Sequence, residues 1–307
     1  MESSLLLIQL LNGLQLGILL FLLSAGLTLT FGIMDFVNLA HGSLYMLGAF
    51  ICASLTKITG SFALAALLAL PLTAVCGLII ELVVIRQLYA RNHLDHVLAT
   101  FGLILCLDTI AELVWGPAGI AIPLPAILNG QMEVLPGVVV PTFRLLIISV
   151  GLLAAAGLYV IVNHTRIGML IRAGASNRTM VGALGIDIKT LFTGVFALGA
   201  ALAGLAGLLV APIAEASIGM GNEIIITTFV VIIIGGIGSM KGAFIAALLI
   251  GLIDTLGRSY LDDLFKLFMS AQAAETAAPA ISAMLIYLLM AVILAIRPQG
   301  LFPAASR

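Results

Sequence analysis

Asp35, Asn38 and His41 stand three residues apart, a spacing that places them on one face of a helix, and the run Asn38-Leu-Ala-His-Gly42 opens the second long apolar stretch of the chain. Polar and ionisable groups at bilayer depth are costly and usually turn to a bundle interior or a water-filled path. His41 therefore reads either as a pathway residue or as a packing residue held by a backbone partner. No second His or Cys stands at ligand spacing from it, so no metal site is expected. Asp108 and Glu112, four apart in the fourth stretch, cannot both face lipid as ions. They suit an external vestibule, a helix contact, or a proton relay in a secondary transporter.

Two further stretches carry information. Gly235-Gly-Ile-Gly-Ser-Met-Lys-Gly242 joins two apolar pieces and lacks the Gly-Lys-Ser/Thr ending of a phosphate-binding loop. It reads as a tight helical hairpin or as a helix break around a transport path. Ile171 to Ile186 lies in the longest basic stretch. Ser176 is a plausible N-cap and Gly185 a plausible C-terminal stop, with a helix of about two turns between them. Met180, Val181 and Leu184 would share one apolar face, suited to docking on another protein or to lying on a membrane surface. Cys52, Cys76 and Cys106 stand singly in apolar runs and read as small core hydrophobes.

The elements that must position these residues follow from composition. Of 307 residues, 62% are hydrophobic and only 9% charged, and the mean hydropathy is +1.27. Lipid must be the solvent of such a chain. A bilayer core of about 30 Å needs roughly 20 apolar helical residues per span, so about eight or nine spans use nearly the whole chain and leave no room for a soluble catalytic domain. The apolar runs are continuous rather than alternating, which rejects a β-barrel. A net charge of -1 offers no general attraction for nucleic acid. The expected fold is an all-α integral membrane protein. It is a polytopic bundle of about 8–9 transmembrane helices with broken or re-entrant segments near 36–45 and 224–242, and residues 1–307 form a single transmembrane domain. Ser3 to Met34 is too long for one upright span, so it reads as a tilted helix plus an interfacial or bent end at Asn12, Gly13 and Gly17. Pro71 predicts a kink in the third span. Small residues at Gly199, Ala200, Ala203, Gly204 and Gly207 mark a packing face on the sixth.

Basic residues orient the chain. Taking His164 to Lys189 as cytoplasmic puts Arg86, Arg91, Arg166, Arg172, Arg178, Lys189, Lys241, Arg297 and Arg307 on one side, against Lys57, Arg144, Arg258 and Lys266 on the other. The N-terminus, with Glu2 and no Lys or Arg before its apolar run, is then external, and the first run is read as a retained span.

Four motifs in register resemble the LivH-type permeases of the branched-chain amino acid ABC transporter family. Thr30-Phe-Gly-Ile-Met-Asp35 and Asn38-Leu-Ala-His-Gly42 are similar to that family's Asn-Phe-Ala-His-Gly region. Leu184-Gly-Ile186 with its preceding helix is similar to the cytoplasmic coupling segment. Gly235 to Ala243 is similar to the Gly-Gly-Ile-Gly-Ser-x-x-Gly-Ala turn, and Pro298-Gln-Gly-Leu-Phe302 to the Pro-x-Gly-Leu-Phe ending. The likeness runs from about Leu5 to Phe302. The sister LivM type usually carries Ser-Leu-Gly-His-Gly at the first place.

The resemblance implies a non-catalytic transmembrane permease subunit of an ABC importer in the bacterial inner (plasma) membrane, moving branched-chain amino acids or related small amino acids and amides. It implies a periplasmic substrate-binding protein, a second permease of the LivM type (or a second copy of this chain) and two cytoplasmic ATPase subunits. ATP and Mg would be used by those partners, and no cofactor is expected on this chain. Asn38, His41, Asp108 and Glu112 are the pathway candidates. Residues 164–189 hold the coupling segment, with Ser176, Asn177, Met180, Val181, Leu184 and Gly185 facing the ATPase. Gly42, Gly235, Gly236, Gly238 and Gly242 mark breaks or turns. Many family members carry acids in the coupling helix where this chain reads Ser176-Asn-Arg-Thr179. The rival reading is a stand-alone secondary transporter or channel for a small polar solute, with Asp108 and Glu112 as coupling groups.

Overall fold

A computed structural model describes residues 2–302. Arg307, counted above with the cytoplasmic cations, lies outside the described residues. Among the described residues eight helices are long and apolar enough to cross a membrane. They are α1 (Glu2–Met34), α2 (His41–Thr59), α3 (Phe62–Val83), α4 (His93–Trp115), α5 (Thr142–His164), α8 (Ile188–Ala214), α10 (Met240–Phe265) and α11 (Ala271–Ile296). Between α5 and α8 come two short helices, α6 (Arg166–Ser176) and α7 (Arg178–Ala183). The ninth apolar helix, α9 (Met220–Gly235), has 16 residues and spans only about 24 Å. Among the described residues the one small sheet pairs β1 (Gln131–Leu135) with β2 (Val138–Pro141) in an antiparallel hairpin after α4.

Side-chain caps set many of the helix starts. Ser61, Asn92, Thr165, Asn177, Asp187, Ser239 and Ser270 each accept a backbone N–H from the first turn of the helix they precede. Such caps satisfy donors that lipid could not. The Ser270 cap and the alanine-rich run after it begin α11 at Ala271, which places Glu275 inside the helix. α1 is a continuous helix through Asn12, Gly13 and Gly17. Those residues make contacts instead of a bend. Arg144 donates to the Asn12 side chain, and the two glycines lie against Leu252 and Leu248 of α10. α3 likewise continues through Pro71.

The chain folds as two compact units. One contains the residues up to Phe21, Ala126–Leu152 and Phe229 onward. Here α10 packs on α11, with Ser282 Oγ donating to the Asp254 carbonyl at 3.0 Å and Gly257 leaving room for Ser282. The Phe21 and Phe244 rings meet edge to face. The other unit contains Leu22–Pro125 and Leu153–Thr228. Its centre is the trio α2, α3 and α8. Small residues let these backbones approach: Gly48 meets Gly204, Gly207 meets the Tyr45 carbonyl, and Gly77 meets Ala200. The stripe on α8 is thus a packing face. Outward faces of α3, α4 and α5 carry exposed Leu67, Leu113 and Leu153, as lipid contact requires.

Candidate functional site

In the second unit two long helices end abruptly, and the chain turns back into the bundle. α1 stops at Met34 because Asp35 adopts φ 52. α8 stops at Ala214 because Glu215 adopts φ 56. These are the two non-glycine residues at positive φ among the described residues. Left-handed backbone costs an L-residue on the order of 1–2 kcal/mol, so the surrounding structure must hold both turns in place. Asp35 to Ala40 is therefore not helical, and Asp35, Asn38 and His41 do not share a helical face as their spacing predicts. Asn38 lies on the returning segment, and His41 is the first residue of α2.

The depth of each return can be read from its contacts. The Leu39 N–H donates to Thr100 Oγ1 at 3.3 Å. Thr100 lies seven residues into α4 from His93, or about 10 Å along it. A Cβ placed on Gly26 would lie 2.8 Å from His41 Nε2, so the imidazole reaches α1 eight residues before its end. On the other return, Ala216 bridges Ile120 just beyond α4, and Asn222 Nδ2 donates to Asp108 Oδ2 at 2.8 Å. Asp108 lies seven residues before Trp115, about 10 Å in from the opposite end of α4. The two arms meet where α2 and α9 begin. A Cβ on Gly42 would lie 2.2 Å from the Gly221 carbonyl oxygen, and one on Gly221 would lie 2.3 Å from that of Gly42.

The chain on either side of Gly42 carries buried polar groups. Asn38, His41 and Ser43 are each 1% exposed. Neither Asn38 side-chain atom nor the Ser43 hydroxyl has a hydrogen-bond partner among the described residues, and neither His41 ring nitrogen makes a hydrogen bond of ordinary geometry, although the Leu23 backbone lies near the imidazole. Burying such groups unpaired costs about 1–3 kcal/mol each. Asp108 faces Asn222, whereas Glu112 one turn later is exposed on α4. The structure thus ties Asp108 but not Glu112 to the second arm.

A charged network lies beside the first arm, where the Tyr89 ring meets Phe36 edge to face. Glu81, fully buried on α3, accepts from Tyr89 Oη at 2.5 Å, from Thr193 Oγ1 at 2.9 Å and from Arg86 Nε at 3.4 Å; Arg86 Nη2 reaches Thr193 Oγ1 at 2.6 Å. Burial, then the Glu81 contact, raises the Tyr89 phenol above its ordinary range, keeping it a donor. The network pins the 3₁₀ turn Ile85–Leu88 to the first turns of α8. An Asp187 cap starts that helix, and the Thr190 hydroxyl donating to Asp187 at 2.5 Å draws its carboxyl below the usual range.

Residues 164–189 form two helices where one was expected. Gly168 lets α6 turn tightly under the Ile161 and Val162 carbonyls, and the Arg172 side chain donates to Val162. A Cβ on Gly174 would lie 3.4 Å from Leu191 on α8 and 3.8 Å from Ile33 on α1. Asn177, not Ser176, caps α7, accepting from the Met180 N–H at 2.9 Å; Ser176 ends α6 instead. Gly185 takes φ 84 just beyond the helix. The expected apolar face is divided. Val181 is 4% exposed and points inward, whereas Met180 and Leu184 are 60% and 74% exposed. A six-residue helix anchored on one side cannot present all three outward.

In the first unit two sequence motifs close on each other. α9 and α10 are joined by Gly236 to Ser239, with Gly236 at φ 103 and Gly238 at φ 81, and Gly235 meets Gly242 at backbone distance. The second interruption of the chain thus falls at Glu215 to Gly219, ahead of 224–242, and the glycine run itself is a tight turn. The Pro298 to Phe302 ending docks on that turn. Leu301 N donates to Ile234 O at 2.8 Å and Phe302 N to Gly235 O at 3.1 Å, with Gly300 at φ 82 against Gly236.

Sequence reasoning missed Gly221, Asn222, Glu215 and the Glu81 network. The signal for the last was present: Glu81 is an acid inside an otherwise apolar run, five residues before Arg86. Among the described residues no group of three or more His, Cys, Asp or Glu side chains comes together to hold a metal ion.

Residues 9–294 match the family model described as the permease component of branched-chain amino acid transport systems. The chain is 32% identical over 270 residues to the high-affinity branched-chain amino acid transport system permease protein BraD of Pseudomonas aeruginosa, covering 84% of this chain and 88% of that one. It is 30% identical over 276 residues to the LivH permease protein of Escherichia coli K12, with the same coverage. A probable LivH permease of Methanocaldococcus jannaschii is 30% identical over 261 residues, 80% of this chain and 79% of that one. No solved structure matches the chain significantly.

Proposed function

This chain belongs to the family of branched-chain amino acid transport permease components, and on that premise we propose that it is the LivH-type membrane subunit of an ABC importer for branched-chain or related small amino acids. It is a multi-pass inner-membrane protein with eight membrane-length helices among its described residues. Its place in an ABC system implies separate ATPase subunits and a binding protein. A LivM-type permease completes the membrane pair in this reading, and ATP and Mg act only in the ATPases.

The observation that carries the reading is the pair of arms that re-enter one unit from opposite ends of α4 and meet at Gly42 and Gly221. Discontinuous helices meeting within a bundle are how helical transporters bring backbone and polar groups to membrane depth without exposing them to lipid. Asn38, His41 and Ser43 are the polar groups beside that meeting point, and a zwitterionic cargo or ordered water passing there would satisfy them. Binding there must be weak, because tight binding would trap what the binding protein delivers.

The driving end is α6 and α7. Met180 and Leu184 dock in the ATPase, while Gly174 seats α6 against Leu191 and Ile33. Ile33 stands two residues before the Asp35 turn, and α8 ends at the Glu215 turn. Movement of the coupling segment therefore bears on both helices that carry the arms. ATP shifts the equilibrium between states only by such differential contacts.

The test is reconstitution of this chain with its permease partner, the ATPases and the binding protein in proteoliposomes. Uptake of leucine, isoleucine or valine should require ATP and the ATPases. Uptake by this chain alone, driven by an ion gradient, would overturn the assignment.

A further inference from the structure

We propose that the Gly42–Gly221 contact is the closed gate of the translocation path, and that Asp35 and Glu215 are the hinges on which its two arms swing. The inference rests on the permease reading above and adds to it the residues that shut the path.

The first argument is that the two arms are built alike. Each begins with a long helix ended by an acidic residue at positive φ, Asp35 at 52° and Glu215 at 56°. Each then runs a short non-helical lead, Phe36 to Ala40 and Ala216 to Gly219, into a helix whose second residue is glycine. After each of those helices comes a glycine at positive φ followed by a capping serine, Gly60-Ser61 before α3 and Gly238-Ser239 before α10. The leads enter from opposite ends of α4, as Leu39 on Thr100 and Asn222 on Asp108 show. Two like arms entering in opposite senses are the inverted-repeat pattern of alternating-access transporters, whose path opens and closes where the repeats meet.

The second argument is the contact itself. Each glycine leaves its partner's carbonyl oxygen where a Cβ would sit, so α2 and α9 touch backbone to backbone with no side chain between them. Nothing as large as an amino acid passes a contact of that kind. Ser43, the next residue after Gly42, and Asn38, on the lead four residues before it, are buried polar groups with no partner among the described residues. A purely structural helix crossing has no use for such groups at its edge; a path that admits a polar cargo when the helices part does. The hinges suit motion as well. Left-handed backbone at a non-glycine residue is held against its preference and is released by a modest change at one residue.

Gly221→Ala puts a methyl 2.3 Å from the Gly42 carbonyl oxygen, so the closed contact must widen by about 1 Å. Overpacking of that size raises the open population by about 5–150-fold. The experiment uses the whole complex in proteoliposomes preloaded with radiolabelled leucine and measures efflux without ATP. Gly221→Ala and Gly42→Ala should each leak at least fivefold faster than wild type while ATP-driven accumulation falls. Wild-type efflux with wild-type accumulation in both variants would overturn the gate and leave the permease reading intact. Failure of the unmutated complex to accumulate leucine with ATP would instead overturn the permease reading.

A second measurement keeps the glycines and does not depend on the variants folding. Ser43→Cys, in a chain with Cys52, Cys76 and Cys106 replaced by Ala, is treated with an impermeant thiol reagent. It should be unreactive at rest and reactive in the vanadate-trapped complex. Equal reactivity in the two states would refute the gate.

Discussion

Leu184→Asp and Val181→Asp should fail in different ways, although Val181 lies in α7 and Leu184 directly follows it, three residues on. Leu184 is 74% exposed, so a carboxylate there stays in water while the chain is alone, and its folding and insertion are untouched. Docking against an ATPase would bury that carboxylate without a partner, at a cost of about 1–3 kcal/mol. That weakens engagement by about 5–150-fold. Val181 is 4% exposed, so Val181→Asp places the charge in the interior of the permease itself and destabilises it before any ATPase arrives. The assay has two readouts on purified complexes: the amount of ATPase retained by a tagged permease, and ATP hydrolysis stimulated by loaded binding protein. Leu184→Asp should leave permease yield and thermal inactivation at wild-type values and lose retention and stimulated hydrolysis. Val181→Asp should lower yield. Normal stimulated hydrolysis in Leu184→Asp would refute the division of the face into docking and anchoring residues.

Glu81→Ala should shorten the heat-inactivation half-life of the complex, because Tyr89 and Thr193 lose an acceptor and Arg86 its partner; the loss is about 2–4 kcal/mol, kept low because the Arg86 side chain is 34% exposed to solvent. An unchanged half-life would show that the network adds no stability. His41→Ala should slow uptake more than it changes the concentration of half-maximal uptake, which the binding protein sets; uptake at the wild-type rate would remove the functional role while leaving the buried placement. Asn177→Cys in intact cells should resist an impermeant thiol reagent added outside, and labelling would reverse the topology. Gly300→Ala should release the C-terminal ending from the α9–α10 turn, since φ 82 and a Gly236 backbone atom 2.6 Å from the new Cβ both oppose it; increased proteolysis after Arg297 is the readout, and wild-type protection would count against the clasp.

Local chemistry made much of this protein legible from its sequence. Apolar runs long enough to cross a bilayer must be helices, since lipid leaves backbone groups no other partner, and all eight long spans fall within or close to those runs. The glycines on α8 announced close packing, and Gly185 announced the end of α7, because each signal depends only on residue type at a fixed spacing. Asn38, His41 and Asp108 could be singled out because polar groups stand out against apolar surroundings. Sequence could not show that Asp35 takes a left-handed turn, which removes Asn38 from the helical face its spacing implies. Nor could it show that Val181 turns inward while Leu184 turns out, because burial of a short helix depends on what lies under it. Gly221 is one glycine among 32 in the sequence. Its meeting with Gly42, 179 positions earlier by their numbers, is a long-range contact that no local pattern encodes. Only the folded unit brings the two arms together, because backbone-to-backbone approach depends on where both helices are carried by the elements that hold them.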